Sequence, residues 1–101
     1  MTRGEVWLAQ VGRKVRPVLV LTRPEVIDVR SLVTVAEITT SSRGLAVEVH
    51  VGGDVELMQS SVINCDGLHT VVQSTLTTRL GSVDDDTMID VGRAIHLALG
   101  C

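Results

Sequence analysis

Leu32-Val33-Thr34-Val35-Ala36-Glu37-Ile38-Thr39 runs straight into Thr40-Ser41-Ser42-Arg43-Gly44. The first eight residues are rich in β-branched side chains and bounded by turn formers, which is the pattern of a strand. Its apolar set is nearly continuous rather than alternating, so the strand is expected to be covered on both faces. The three hydroxyl residues and the arginine that follow, closed by a glycine, read as a loop, and with Thr39 they make four consecutive hydroxyls. A strand that delivers hydroxyls and a cation to its own end is the core of the reading below.

Upstream, Glu5-Val6-Trp7-Leu8-Ala9-Gln10-Val11 is a partly alternating strand, Gly12-Arg13-Lys14 a turn, and Arg16-Pro17-Val18-Leu19-Val20-Leu21-Thr22 a second strand. Pro17 belongs near the start of that strand, where a missing N–H does least damage, and it pushes Arg16 toward extended geometry. Residues 23–28 form a loop with one helical turn after Pro24. Downstream, Ala46-Val47-Glu48-Val49-His50-Val51 alternates, with Glu48 and His50 on its wet face, and Gly52-Gly53-Asp54 turns the chain. Ser61–Cys65 is a fifth strand and Thr77–Val83 a sixth. Asp84-Asp85-Asp86 then opens a helix, where negative charge suits the N-terminal dipole. Met88, Val91, Ile95 and Ala98 or Leu99 recur at helical spacing, and Gly100 ends the helix. Five or six short strands with one terminal helix predict a mainly β domain, a compact curled barrel.

The chain has 101 residues, enough for one domain (residues 1–101) with one core, and 45% of them are apolar. Trp7 is the only aromatic residue of the Phe, Tyr and Trp class, which excludes an RNA-binding platform of several stacked rings. The longest apolar run, Pro17–Thr22, is far short of a membrane span, and no signal peptide is recognisable at the start. Cys65 and Cys101 form no Cys-x-x-Cys pair and read as reduced thiols of a cytoplasmic protein.

The net charge of −3 argues against a strongly basic nucleic-acid binder, but it is unevenly distributed. Residues 1–45 hold 7 basic and 4 acidic side chains, a net of +3, and residues 46–101 hold 2 basic and 8 acidic, a net of −6. Eight of the nine cations are arginine, the residue suited to gripping a phosphate through two N–H bonds.

Motifs for metal-dependent hydrolysis, a nucleophilic serine elbow or a phosphate-cradling glycine loop are absent. Cys65, Asp66 and His69 form at best a weak metal constellation; His69 reads better as an RNA-contacting or acid–base group. Arg13, Lys14 and Arg16 place three cations in four positions at a turn, and Thr39, Thr40, Ser41 and Arg43 cluster at a strand end. Each cluster alone is also what an ordinary solvated turn contains.

Taken together, these segments resemble the MazF/PemK toxins of type II toxin–antitoxin systems, over nearly the whole chain. Gly4-Glu5-Val6-Trp7 is similar to the opening motif of that family. Arg16-Pro17-Val18-Leu19-Val20-Leu21 is similar to its Arg-Pro-x-x-Val-Leu/Ile strand. Ile38–Gly44 followed by Val47-Glu48-Val49 is similar to its Thr-Thr/Ser…Lys/Arg-Gly…Glu-Val segment, and Asp66–Thr70 lies where it has Asp/Glu-Gln-Val/Ile-Lys/Arg-Ser/Thr. The connection before Arg-Pro is only Gly12-Arg13-Lys14-Val15, without the acidic loop residue of longer members, and Gly67 stands where many have Gln. In both respects the chain resembles the short mycobacterial-type members.

The resemblance implies an SH3-like barrel of the MazF/PemK/CcdB type, a homodimer, and an endoribonuclease that cuts single-stranded RNA without metal or cofactor. It places the catalytic arginine at Arg16 and the catalytic hydroxyl at Thr39, with Thr40 adjacent. Arg13, Lys14, Thr40, Ser41, Arg43 and His69 are the candidate RNA contacts. It also implies an antitoxin whose disordered, acidic C-terminal segment occupies the RNA groove. Two other functions share this barrel. A gyrase poison of the CcdB type characteristically ends in Trp-Gly-Ile, whereas this chain ends Leu97-Ala98-Leu99-Gly100-Cys101. A non-catalytic RNA-binding module would bind RNA and leave its ends intact.

Overall fold

A computed structural model describes the backbone of residues 1–101 and every side chain except that of Val11. Seven strands form one antiparallel sheet: β1 (Glu5–Val11), β2 (Lys14–Val20), β3 (Leu32–Thr39), β4 (Glu48–His50), β5 (Gly53–Val55), β6 (Val62–Val72) and β7 (Leu76–Val83). Their order across the sheet is β4-β6-β3-β2-β1-β7-β5. One helical turn, α1 (Pro24–Ile27), follows β2, and α2 (Asp85–Leu99) closes the chain.

The topology forces the sheet to roll up. β4 and β5 are its two edges, yet only Val51 and Gly52 join them. Seven strands laid flat would hold the edges about 29 Å apart. The three virtual bonds from His50 to Gly53 reach at most about 11 Å. The edges therefore approach each other without pairing, and the sheet is barrel-like but not hydrogen-bonded shut.

A rolled sheet has two faces to cover, and each has its own core. On one, Val6, Leu19, Ala36, Ile38 and Ile63 pack with Val91 and Ala94 of α2. On the other, Val18, Val20, Val33, Val35 and Leu76 pack with Ile27 of α1. β3 contributes to both, as its dense apolar pattern predicts. Full burial of one such aliphatic side chain stabilises the fold by about 1.5–3 kcal/mol. The terminal helix follows its predicted pattern: Asp84 accepts the Thr87 N–H at 2.8 Å, and Gly100 caps the other end.

Three predicted boundaries need correction. The predicted turn at Gly52–Asp54 includes a strand, β5, paired with the end of β7. The pairing depends on Gly81, at φ +143°, because a side chain there would run into the Asp54 carbonyl. The fifth predicted strand does not stop at Cys65 but continues as β6 to Val72, through a bulge: Glu37 pairs with Asn64 and Ala36 with Leu68, so Cys65, Asp66 and Gly67 have no partner on β3. Asp-Gly reads as a turn in sequence and is here the middle of a bulge. β2 begins at Lys14 rather than Arg16, leaving Gly12 and Arg13 as a two-residue hairpin loop.

Candidate active site

Strand pairing places the candidate residues on one sheet face. Val18 of β2 pairs with Glu37 of β3, and the β2–β3 ladder ends there. The next residue of β2 is Pro17, which has no N–H to give. Continuing the register by two residues sets Arg16 opposite Thr39. Side chains alternate along a strand, so Arg16, Thr39, Val18 and Glu37 share a face. Arg16 and Thr39 are both partly exposed at the open end of this face, beyond the buried cluster around Val18 and Val35.

Thr39 is held by its own loop. Its Oγ1 accepts the Ser41 backbone N–H at 3.1 Å, a short side-chain turn that leaves the hydroxyl proton free to be donated outward. The loop beyond is organised by Glu48 of β4. Its carboxylate accepts the N–H of Leu45 at 2.9 Å and that of Arg43 at 3.0 Å. These bonds, the Leu45 N–H first, hold the Glu48 carboxyl below its ordinary value against the opposing effect of burial. Thr40, Ser41 and Arg43 are exposed on this loop.

The bulge in β6 carries His69 to the same face. Val35 pairs with His69, and the His69 Nε2 lies 3.5 Å from the Glu37 Oε2. That nitrogen is shut off from solvent and has no hydrogen-bond partner. Gly67 makes the approach feasible: a β-carbon there would lie 2.8 Å from the Glu37 Oε2 and 3.2 Å from the Asn64 Nδ2. Asn64 in turn accepts the Asp66 N–H at 3.0 Å and fixes the bulge. Glu37, Asn64 and Glu48 were not among the residues singled out from sequence. A lone carboxylate inside the apolar run Leu32–Ile38 is the signal that marks Glu37.

The cations of the N-terminal half do not all gather here. Arg13 stands exposed in the β1–β2 hairpin loop and Lys14 at the exposed start of the strand that carries Arg16. Arg3, Arg23 and Arg30 line a separate groove with Leu21, Ile95 and Leu99, beside the C-terminal end of α2. The net +3 of residues 1–45 is thus divided between two places. Trp7 is largely committed to structure. It packs against the second core, and its indole N–H donates to Glu5 Oε1 at 3.2 Å. Burial pushes the Glu5 carboxyl up, but the bonds from Arg79, the Thr2 N–H and Trp7 outweigh it and bring the value below the ordinary one.

Cys65 and His69 project to opposite faces of the sheet, so the Cys65–Asp66–His69 constellation does not converge. The Cys65 thiol lies in the helix-side core, where burial and then the nearby Asp66 push its pKa up to about 11. Among the described residues no three His, Cys, Asp or Glu side chains are grouped to hold a metal ion.

The profile of the PemK-like, MazF-like toxins of type II toxin-antitoxin systems matches residues 2–99. The probable endoribonuclease MazF5 of Mycobacterium tuberculosis (strain ATCC 25618 / H37Rv) is 38% identical over 103 aligned residues, covering 98% of this chain and 93% of that protein. The solved structure of Mycobacterium tuberculosis toxin MazF-mt6 superposes with a TM-score of 0.89 at 38% identity, over 95% of this chain and 96% of that one. An endoribonuclease in complex with its cognate antitoxin, from Mycobacterial species, superposes with a TM-score of 0.90 at 27% identity, over 99% and 95%. The match spans both the rolled sheet that carries the candidate site and the terminal helix that covers its other face. The chain belongs to the PemK/MazF family of type II toxin–antitoxin toxins.

Proposed function

We propose that this protein is the toxin of a type II toxin–antitoxin pair and cleaves single-stranded RNA endonucleolytically, stopping translation and growth. The observation that carries this reading is the register neighbourhood of Arg16 and Thr39 on one open sheet face, with the Thr39 acceptor already engaged by Ser41. Relatives named as endoribonucleases support it, and neither a gyrase poison nor a non-catalytic module is favoured.

The chemistry follows from the two side chains. The ribose 2'-hydroxyl attacks the adjacent phosphorus, and a base takes its proton. The O2'–P bond forms, the P–O5' bond breaks, and O5' leaves with the electron pair and is protonated. The products are a 2',3'-cyclic phosphate and a 5'-hydroxyl. Arg16 supplies two parallel N–H bonds to the phosphate as its charge concentrates in the phosphorane. An arginine is too weak an acid to serve as the base, so its role is electrostatic. Thr39 donates its free hydroxyl proton to a non-bridging oxygen. No step requires a metal, and activity is expected to persist in EDTA.

Arg13, Lys14, Thr40, Ser41 and Arg43 border this face and serve as contacts to flanking phosphates and bases, with His69 beneath. The toxin acts as a homodimer in the cytoplasm, with residues 1–101 as one domain, and no helix is long and apolar enough to cross a membrane. A relative solved with its cognate antitoxin supports an antitoxin partner here. We assign its acidic C-terminal segment to the cationic RNA groove.

Mapping of RNA 5' ends after brief induction tests the reading. It predicts new 5'-hydroxyl ends at a recurring short sequence. Growth arrest with unchanged RNA ends would contradict it and point to a protein target such as gyrase.

A further inference from the structure

We infer that His69 is the base that takes the 2'-hydroxyl proton, held in one tautomer by Glu37; this rests on the ribonuclease reading above. The shortened β1–β2 connection, Gly12–Arg13, carries no acid, so the base must come from elsewhere on the face. His69 Nε2 is enclosed, unpartnered and 3.5 Å from the Glu37 Oε2, while the imidazole as a whole is partly exposed. A small closure turns the Nε2–Oε2 approach into a hydrogen bond, of the kind that tightens when substrate binds. With Nε2–H donated to the carboxylate, Nδ1 carries the free lone pair and faces the groove. The imidazole is 39% exposed while Glu37 is 22% exposed, so the pair is oriented with the base outward and the carboxylate behind it.

Placement agrees with the chemistry. Thr39 lies two residues beyond Glu37 on the same face, about 7 Å along the strand. A phosphate gripped by Arg16 and Thr39 leaves the ribose on its 5' side over Glu37 and His69. Nδ1 takes the proton of the 2'-hydroxyl as O2' bonds to phosphorus. O5' leaves and takes a proton from water, and the imidazolium returns its proton to the hydroxide so formed. Glu37 touches no reacting atom and is a positioning residue: it fixes the tautomer and stabilises the imidazolium.

The charged and titratable groups on the sheet face of His69 are Glu37 on β3, Arg16 on β2, and Glu48 and His50 on β4, with Asp66 in the bulge of its own strand. Glu48 is engaged by the Arg43 and Leu45 N–H groups, and Asp66 and His50 are exposed.

The test is single-turnover cleavage of a single-stranded oligoribonucleotide across the acid-to-neutral range. It compares the wild type with His69→Gln, Glu37→Gln, His50→Gln and Arg16→Ala. The wild-type rate is expected to rise in proportion to hydroxide on the acid side and then level. His69→Gln is expected to lose about 100- to 1000-fold at the plateau, and the acid limb with it. Glu37→Gln is expected to lose roughly tenfold and to keep the acid limb, because the imidazole loses the carboxylate that holds its tautomer while remaining the base. His50→Gln should keep both rate and limb. In a folded His69→Gly variant, added imidazole should restore cleavage, an effect that a packing role would not give. Wild-type rate and limb in His69→Gln, loss of the limb in His50→Gln, or no rescue by imidazole would overturn the assignment of His69. Such a result with Arg16-dependent cleavage intact leaves the ribonuclease reading standing. A wild-type protein that leaves RNA uncut overturns both.

Discussion

Thr39 Oγ1 accepts the Ser41 backbone N–H at 3.1 Å, and this one bond decides which way the hydroxyl can act. With its acceptor engaged, the side chain is a donor toward the groove. Thr39→Ser keeps that arrangement and is expected to retain cleavage within about tenfold. Thr39→Val preserves shape and burial but removes the donor, and should lose roughly 10- to 100-fold, less than loss of a charged phosphate ligand. Single-turnover rates checked against unchanged melting temperatures separate the two effects.

Gly67 leaves the room that the Glu37 carboxylate occupies. A β-carbon at this position would lie 2.8 Å from the Glu37 Oε2, so Gly67→Gln must displace the carboxylate. The variant is expected to fold, since only a side-chain end has to move, and to lose activity about as Glu37→Gln does. Circular dichroism and cleavage rates measured on the same samples check this.

Acid should loosen the loop that follows Thr39. The folded pKa of Glu48 is depressed, chiefly by the Leu45 N–H, so its contribution to stability is complete above its unfolded value. That contribution is lost as pH falls through the lower, folded value. Glu48→Gln should therefore melt below the wild type at neutral pH, and the gap should close as pH falls from the ordinary carboxylate range through the lower, folded value. A gap that stayed constant with pH would show that the carboxylate charge is not what orders the loop.

Two positions of β2 measure how the rolled sheet is held. Leu19 is fully buried in the helix-side core, and Leu19→Ala should cost about 2–5 kcal/mol in denaturant unfolding. Val15, on the same strand, is 59% exposed, and Val15→Ala should stay within about 0.5 kcal/mol.

Much of this was legible in the chain itself. The double-faced apolar pattern of Leu32–Thr39 specifies a strand shared by two cores, and the spacing of Met88, Val91 and Ile95 specifies the helix that covers one of them. Arg16 and Thr39 were marked by their segments, and the β2–β3 register, continued two residues past Val18 and Glu37, sets them opposite each other. What was hidden is what depends on pairing across the sheet. Asp66-Gly67 looks like a turn and becomes a bulge only because Asn64 and Leu68 pair on either side of it. Gly53–Val55 is a strand only because β7 is there to receive it. Glu37 shows in sequence as an isolated acid; its meaning appears when His69, 32 positions away, arrives beside it. The cations were overcounted for the same reason, since Arg3, Arg23 and Arg30 share a sequence segment with Arg16 but not a groove.

The antitoxin assignment makes a competition prediction. If its acidic C-terminal segment lies in the groove of Arg16, the corresponding peptide should displace a labelled oligoribonucleotide, and salt should weaken both complexes. Simultaneous binding without loss of affinity, measured by fluorescence anisotropy, would place the segment elsewhere.

We assign to Arg16 the phosphate of an RNA that this protein cuts. Cleavage of single-stranded RNA in EDTA by the wild type and by a folded Arg16→Ala variant, with the product ends identified, tests this assignment. The expected result is wild-type cleavage to a 2',3'-cyclic phosphate and a 5'-hydroxyl, and a loss of about 100- to 1000-fold in the variant. Equal cleavage by the two proteins, or none by the wild type, would contradict it.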